Sequence, residues 1–268
     1  MIRFETVSFR YGAGPVLSNV SFHVAPGETV VIFGISGSGK STILKLVAGL
    51  IRPQAGRIFV NGLDMSQASE SDWQQLRPKI GFVFQGGALF DSMTVGENVG
   101  FYLLEHTDKP LSEIEASVRQ TLRFLNLSED LIDLLPDSLS GGMQRRVAIG
   151  RAMAAVDPLI MLYDEPTTGL DPIMSDVINE LILRTRAQNP VTSVVVTNDM
   201  RTARKVADRV MMVYPLARLE REEPQIIFDG TPEELENSSD PRVSQFVNGE
   251  AGERLMEMRK MADLRQSN

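Results

Sequence analysis

The sequence predicts an α/β fold with a mixed sheet at its core, an antiparallel β subdomain beside it and a helical subdomain inserted between strands. Three short, unbroken apolar runs carry the prediction: Thr29 to Phe33, Leu159 to Tyr163 and Ser193 to Val196. They are partly β-branched, as central parallel strands buried on both faces are. Each leads into a polar or glycine-rich turn and then a helical pattern, the βα rhythm of an open sheet whose ligand sits at the carboxyl ends of the strands. Between the first and second runs, residues from about 87 to 156 read as mostly helical.

Along the chain, "IRFETVSF" and "GRIFVNG" alternate apolar with polar residues and end on turn formers, the pattern of antiparallel strands. In the helical stretch, "LSEIEASVRQTLRFLNL" repeats Ile114, Val118, Leu122 and Leu125 at helical steps. After about Gly230 the chain is polar and sparsely apolar, so an extension outside the core is expected. With 268 residues the chain can bury one large core, or one domain and a small appendage.

Composition narrows the function. Twenty-seven basic against 35 acidic residues give a formal charge of −8, which argues against a nucleic-acid binder built on phosphate contacts. With no cysteine there is no disulfide or thiolate metal site, and the composition fits a reducing compartment. "MIRFETVSF" lacks the features of a signal peptide, so none is expected. The longest apolar runs, "TVVIFGI" and "PLIMLY", fall short of the roughly 20 residues that span a bilayer. A membrane role would come through a partner.

The most specific local signal is "GISGSGKST", Gly34 to Thr42, directly after the first buried strand. It fits GxxxxGK[ST] in a strand, loop and helix context, the phosphate-binding loop. Gly34, Gly37 and Gly39 let backbone N–H groups, with those of Ser36 and Ser38 between them, curl around a β-phosphate at the positive end of the following helix. Lys40 supplies a cation to the β- and γ-phosphates. The Ser41 hydroxyl, with Thr42 beside it, can reach Mg²⁺. In "PLIMLYDEP" an apolar strand delivers two adjacent carboxylates that point in different directions. Asp164 suits the shell of Mg²⁺, and Glu165 suits a base for a water attacking the γ-phosphate of ATP. "LSGGMQRR" starts a helix on Ser140, Gly141 and Gly142, either an anion site or a plain N-cap.

In this order, and with "TGLDP" after them, these segments resemble an ATP-binding cassette (ABC) ATPase, a P-loop NTPase cassette. The resemblance covers about residues 1–235 as one ATPase domain, with the helical subdomain at about 87–156 and a C-terminal extension over 236–268. It implies a homodimer in which each ATP lies between one phosphate loop and the opposite subunit's Ser140, Gly141 and Gly142. It further implies that Tyr11 stacks on adenine and that Gln85 senses Mg²⁺ and the attacking water. Asp171 would lie across the dimer interface. "LSGGM", "FQGGALFDSMTVGENV", "LLEHTDKP" and "SDPRVSQFVNGEAG" are similar to the ATPase of Mla-type, MCE-associated lipid transporters. That narrower resemblance implies transmembrane permease subunits, an MCE-type substrate-binding subunit and a tail, Asp240 to Gly249, that contacts the dimer partner.

Two features depart from the family pattern. The connection Pro215 to Pro224 is longer than the family's usual turn. Where the family ends a strand on a histidine that contacts the γ-phosphate, this sequence has Asn198. His23 and His106 fall elsewhere and are expected to be structural. The loop after Gln85 presents Leu89, Phe90 and Met93 either to a partner or to the helical subdomain. The expected protein is a Mg²⁺-ATP-hydrolysing subunit at the cytoplasmic face of the inner membrane, driving a permease for lipid. The alternatives are a cassette ATPase for another substrate class and a nucleotide-gated binding module.

Overall fold

The computed structural model describes residues 1–154, 158–188, 190–220 and 223–250. The hairpin β1 (Ile2–Tyr11) and β2 (Gly14–Val24) comes first, followed by β3 (Thr29–Phe33), α1 (Lys40–Val47), β4 (Ala55–Val60) and β5 (Leu63–Asp64). Next, α2 (Glu70–Leu76) leads to β6 (Ile80–Val83), and α3 (Val95–His106), α4 (Leu111–Phe124) and α5 (Gly141–Ala154) precede β7 (Ile160–Asp164). The remainder is α6 (Pro172–Gln188), β8 (Thr192–Thr197), α7 (Met200–Val206), β9 (Arg209–Val213), β10 (Ile226–Gly230), α8 (Pro232–Glu236) and α9 (Pro241–Asn248).

Two sheets result. A four-stranded sheet of order β2-β1-β4-β5 is antiparallel throughout. A six-stranded sheet of order β10-β9-β3-β8-β7-β6 is parallel except for the edge strand β10. The central strands read as unbroken apolar runs because both faces are covered. Val31 and Phe33, Met161 and Tyr163, Val195, and Val210 and Met212 point into one core, shared with α3 to α7. Val30 and Ile32, Ile160 and Leu162, Val194 and Val196, and Met211 and Val213 point into the other, shared with α1, α2 and the antiparallel sheet. This is the two-residue period of a strand used twice. Register then sets the site: Phe33 pairs with Thr197, and Asp164 with Val196, so the polar ends of β3, β7 and β8 emerge at one edge.

The segment after Gly230 differs from the expected extension outside the core. Leu235 and Val243 are buried, and Phe246 packs edge-on against Phe33 with centroids 4.9 Å apart. Three apolar residues of α9, Val243, Phe246 and Val247, join the core although its composition is polar. A sparse stripe is enough when it is all on one face. Residues 251–268 of the expected extension, and 155–156 of the helical stretch, lie outside the described residues. No helix among the described residues is long and apolar enough to cross a membrane.

Candidate functional site

The chain leaves β3 at Phe33 and turns through Gly34 to Gly39 into α1, whose N-cap is Gly39 at φ 100°, with no side-chain cap. The first N–H groups of that helix therefore lack an intrahelical or side-chain partner, and they carry the positive end of its dipole. Gly39 is also a close approach: a Cβ there would come within 2.8 Å of Leu17 Cδ2. Lys40 follows, only 7% exposed. Its Nζ donates to Gly34 O at 2.7 Å and Ile35 O at 3.2 Å, and lies 3.9 Å from Glu165 Oε1. Burial pulls the Lys40 ammonium below its ordinary pKa, against the opposing pull of Glu165 and Asp164.

From β7 come the two carboxylates. Asp164 is buried and accepts a 2.7 Å hydrogen bond from Ser41 Oγ. Glu165 donates its N–H to Val196 O at 2.9 Å, extending the ladder by one residue, and then turns sharply at φ 48°. A left-handed conformation costs a residue with a Cβ roughly 1 to 2 kcal/mol, the kind of strain found at functional sites. The turn aims the carboxylate at Lys40. Burial raises the Glu165 pKa above the ordinary 4.5, opposed by hydrogen bonds from Thr168 Oγ1 and the Asn198 backbone and by the Lys40 charge.

Lys40, Ser41, Glu165 and Thr168 line one cavity of about 420 Å³ together with Tyr11, Val16, Ser36, Gly37, Gly39, Thr42, Gln85 and Asn198. Tyr11 is 50% exposed at its mouth and meets Phe9 edge-on. Gly34, Ser38 and Asp164 form the layer beneath. At the end of β8 the three polar residues divide: Thr197 accepts from Asp199 N–H, Asp199 caps α7, and Asn198 alone is exposed to the cavity. Ser140, Gly141, Gly142 and Asp171 lie outside it. Ser140 Oγ accepts from Met143 N–H, and Asp171 accepts from Ile173 and Met174 N–H at the start of α6.

Several residues of the site carry no signal in the sequence. Thr168 holds Glu165 by a 3.0 Å hydrogen bond. Arg145 of α5, buried, donates to Phe84 O beside Gln85 and to Thr168 O beside Glu165, tying the two loops together. Asn98, also buried, bonds to the N–H of Phe90 and to the carbonyls of Phe90, Met93 and Thr94, which fixes the loop after Gln85. That loop splits the three expected apolar groups. Leu89 packs on the core and Met93 is half-buried, while Phe90 is 41% exposed. Phe90 faces a second cavity of about 870 Å³, whose lining includes the aromatic residues Phe82, Phe84, Phe101, Tyr102 and His106.

The donor set fits Mg²⁺. Asp164 and Ser41 offer hard oxygen ligands 2.7 Å apart beside the phosphate loop. Among the described residues no cluster of three or more His, Cys, Asp or Glu could hold a metal. Few protein ligands, completed by phosphate oxygens and water, is how Mg²⁺ is bound in nucleotide sites.

The family model for ABC transporters matches residues 17–168. The chain is 36% identical to the intermembrane phospholipid transport system ATP-binding protein MlaF of Haemophilus influenzae, over 94% of this chain and 91% of that one. It is equally, 36%, identical to the probable ribonucleotide transport ATP-binding protein mkl of Mycobacterium leprae, over 92% of this chain and 69% of that one. Among solved structures, the ATP-binding cassette MJ0796, a dimer in a post-hydrolysis state bound to ADP and Pi, superposes with a TM-score of 0.74 and 33% identity. It covers 85% of this chain and 100% of that one.

Proposed function

The chain belongs to the ABC transporter family of ATP-hydrolysing cassettes, and from that premise we propose a homodimeric subunit that closes on ATP to drive a separate permease for phospholipid. The observation that carries the reading is the cavity lined by Lys40, Ser41, Glu165 and Gln85, with Asp164 accepting from Ser41 Oγ. Lys40 and the N-terminus of α1 neutralise and orient the β- and γ-phosphates. Tyr11, exposed at the mouth, offers a ring face to adenine. Glu165, its carboxylate turned inward, accepts a proton from the attacking water, and Gln85 orients that water. Mg²⁺ would be held by Ser41 and Asp164 with Gln85 nearby, and would supply charge neutralisation to the phosphate oxygens.

Dimerisation gives Ser140, Gly141 and Gly142 a task that their position outside the cavity does not give them in one chain. They would cover the γ-phosphate of the partner's ATP, with Asp171 at the same interface and α9 contacting the partner through Asp240 to Gly249. The protein would sit peripherally on the cytoplasmic face of the inner membrane, held there by its permease and an MCE-type binding subunit. For cargo, the phospholipid transport named for the Haemophilus relative agrees with the "LSGGM" and "FQGGALFDSMTVGENV" segments. Purification from membranes with the native permease, followed by mass spectrometry of bound small molecules, should find phospholipid. A ribonucleotide in its place would transfer the cargo to the class named for the Mycobacterium relative.

The permease contact is placed at the aromatic cavity. Asn98 and Arg151 fix its rim: Arg151 donates to Gly87 O and Ala88 O and lies over the Phe90 ring. Through Phe84 and Arg145 the same rim reaches Gln85 and Thr168, which couples cargo to nucleotide. Phe90→Asp is expected to abolish copurification with the permease while ATP binding by the isolated subunit stays at the parental level. Unchanged copurification would move the contact elsewhere.

Asn198 sets the rate. Its side chain is a neutral donor to the γ-phosphate and cannot become cationic. An uncharged donor offsets less of the charge on the phosphate than a cationic one, and a difference of roughly 0.5 to 2 kcal/mol in the transition state slows hydrolysis about 2- to 30-fold. Asn198→His is expected to raise kcat by that factor with little change in ATP affinity, in steady-state assays with and without permease. No acceleration in either setting would assign Asn198 to the turn between β8 and α7 alone.

A further inference from the structure

The long connection between β9 and β10 has its own place in the site. It ends on Gln225, whose side chain is buried at 3% exposure although it follows a run of charged residues in the sequence. Its amide is fully used. Oε1 accepts from Ser18 N–H at 3.0 Å, and Nε2 donates to Val16 O at 2.8 Å and to Ser38 O at 3.1 Å. Its own carbonyl accepts from Tyr214 N–H at 2.9 Å across the connection.

Two of the three partners belong to segments that border the nucleotide cavity. Ser38 is the buried middle of the phosphate loop, and Val16 lines the cavity on the Tyr11 side. Packing runs the same way. A Cβ on Gly34 would run into Val213 O of β9, and one on Gly39 would meet Leu17 and Val16 of β2. The phosphate loop is thus wedged between β2 and the β9–β10 hairpin, and Gln225 bonds to both sides of the wedge. Two facing carbonyls require two donors on one side chain, and the Ser18 N–H requires an acceptor. A primary amide of this length supplies all three. A carboxylate of the same shape would face two carbonyls with no proton.

We propose that Gln225 is a positioning residue for ATP binding: by holding Ser38 against Val16 it fixes the spacing between the phosphate loop and the strand beside the adenine-facing Tyr11. The proposal rests on the ATP-site reading of the cavity. It also gives the end of the connection a role, because Tyr214 N–H bonds to Gln225 O and the Gln225 side chain enters the gap. Glu223, two residues before, is paired at 3.3 Å with Arg242 of α9, which anchors the returning end.

Titration with ADP, which requires no turnover, tests it on three proteins. For the parent, micromolar or tighter binding is not required, only a measurable Kd; absence of any ADP binding would overturn the ATP-site reading and this inference with it. Gln225→Leu loses two donors and one acceptor and is expected to weaken ADP about tenfold, roughly 1.4 kcal/mol. A folded Gln225→Leu protein with the parental Kd and a lowered unfolding midpoint would overturn the proposal and leave Gln225 as a structural tie. Gln225→Glu keeps the acceptor and the shape, and decides the matter if the leucine variant does not fold. Burial raises the pKa of such a carboxyl, so lowering the pH from about 8 to about 6 should protonate it and restore one donor. Its Kd relative to the parent is expected to recover over that range. A ratio independent of pH, or equal to one throughout, would overturn the proposal.

Discussion

Glu165→Gln is expected to keep ATP bound and to lose turnover by about 10²- to 10⁴-fold, the usual contribution of a positioned general base. The amide preserves the size of the side chain and can still accept from Thr168 Oγ1, so the φ 48° turn and the approach to Lys40 survive. What is lost is the ability to take a proton. With the chemistry stopped, ATP should hold two chains together, and size-exclusion chromatography should show a dimer that the parent protein forms only transiently. The parent's pH profile checks the same assignment. Because burial raises Glu165 above its ordinary pKa of 4.5, the base is protonated, and the rate falls, at a higher pH than an exposed carboxylate would allow. The residual activity of the glutamine variant should have no such acid limb. Parental turnover in Glu165→Gln would remove Glu165 from the reaction.

How much of this was legible in the sequence depends on the range of the interaction. The phosphate loop, Lys40, Ser41, Asp164 and Glu165 announce themselves because each follows a short, unbroken apolar run, and strand-end position is a local property. The sheet order was not local: nothing in Thr29 to Phe33 states that β8 and β9 flank it. Gln225 is the extreme case. It reaches Ser38 across 187 residues, and it follows a run of charged residues in the sequence, so no window of sequence marks it as buried. The apolar stripe of α9 was missed for a related reason. Three apolar residues in a polar helix read as surface until the groove that receives them, floored by Phe33, is known. Conversely, Leu89, Phe90 and Met93 look equivalent in sequence, and the hydrogen bonds of Asn98 and Arg151 that hold the loop are not legible there.

Lys40→Ala should weaken ATP binding by about 100-fold, or roughly 2.7 kcal/mol, and ADP by less. The ammonium is the one cation in the described lining of the cavity. Its removal costs one charge-assisted hydrogen bond to phosphate, worth roughly 1.5 to 3 kcal/mol. It also leaves Glu165, previously 3.9 Å from a positive charge, and the Asp164 carboxylate facing the triphosphate uncompensated. Like-charge repulsion grows with the number of phosphates, which is why ATP should lose more than ADP. A second consequence follows from the carbonyls of Gly34 and Ile35, which lose their shared donor. The loop would relax, so the unfolding midpoint without nucleotide must be measured beside the affinities. A loss equal for ATP and ADP, with a lowered midpoint, would make Lys40 a brace for its loop. A loss that rises from ADP to ATP, whatever the midpoint, places its charge on the terminal phosphates.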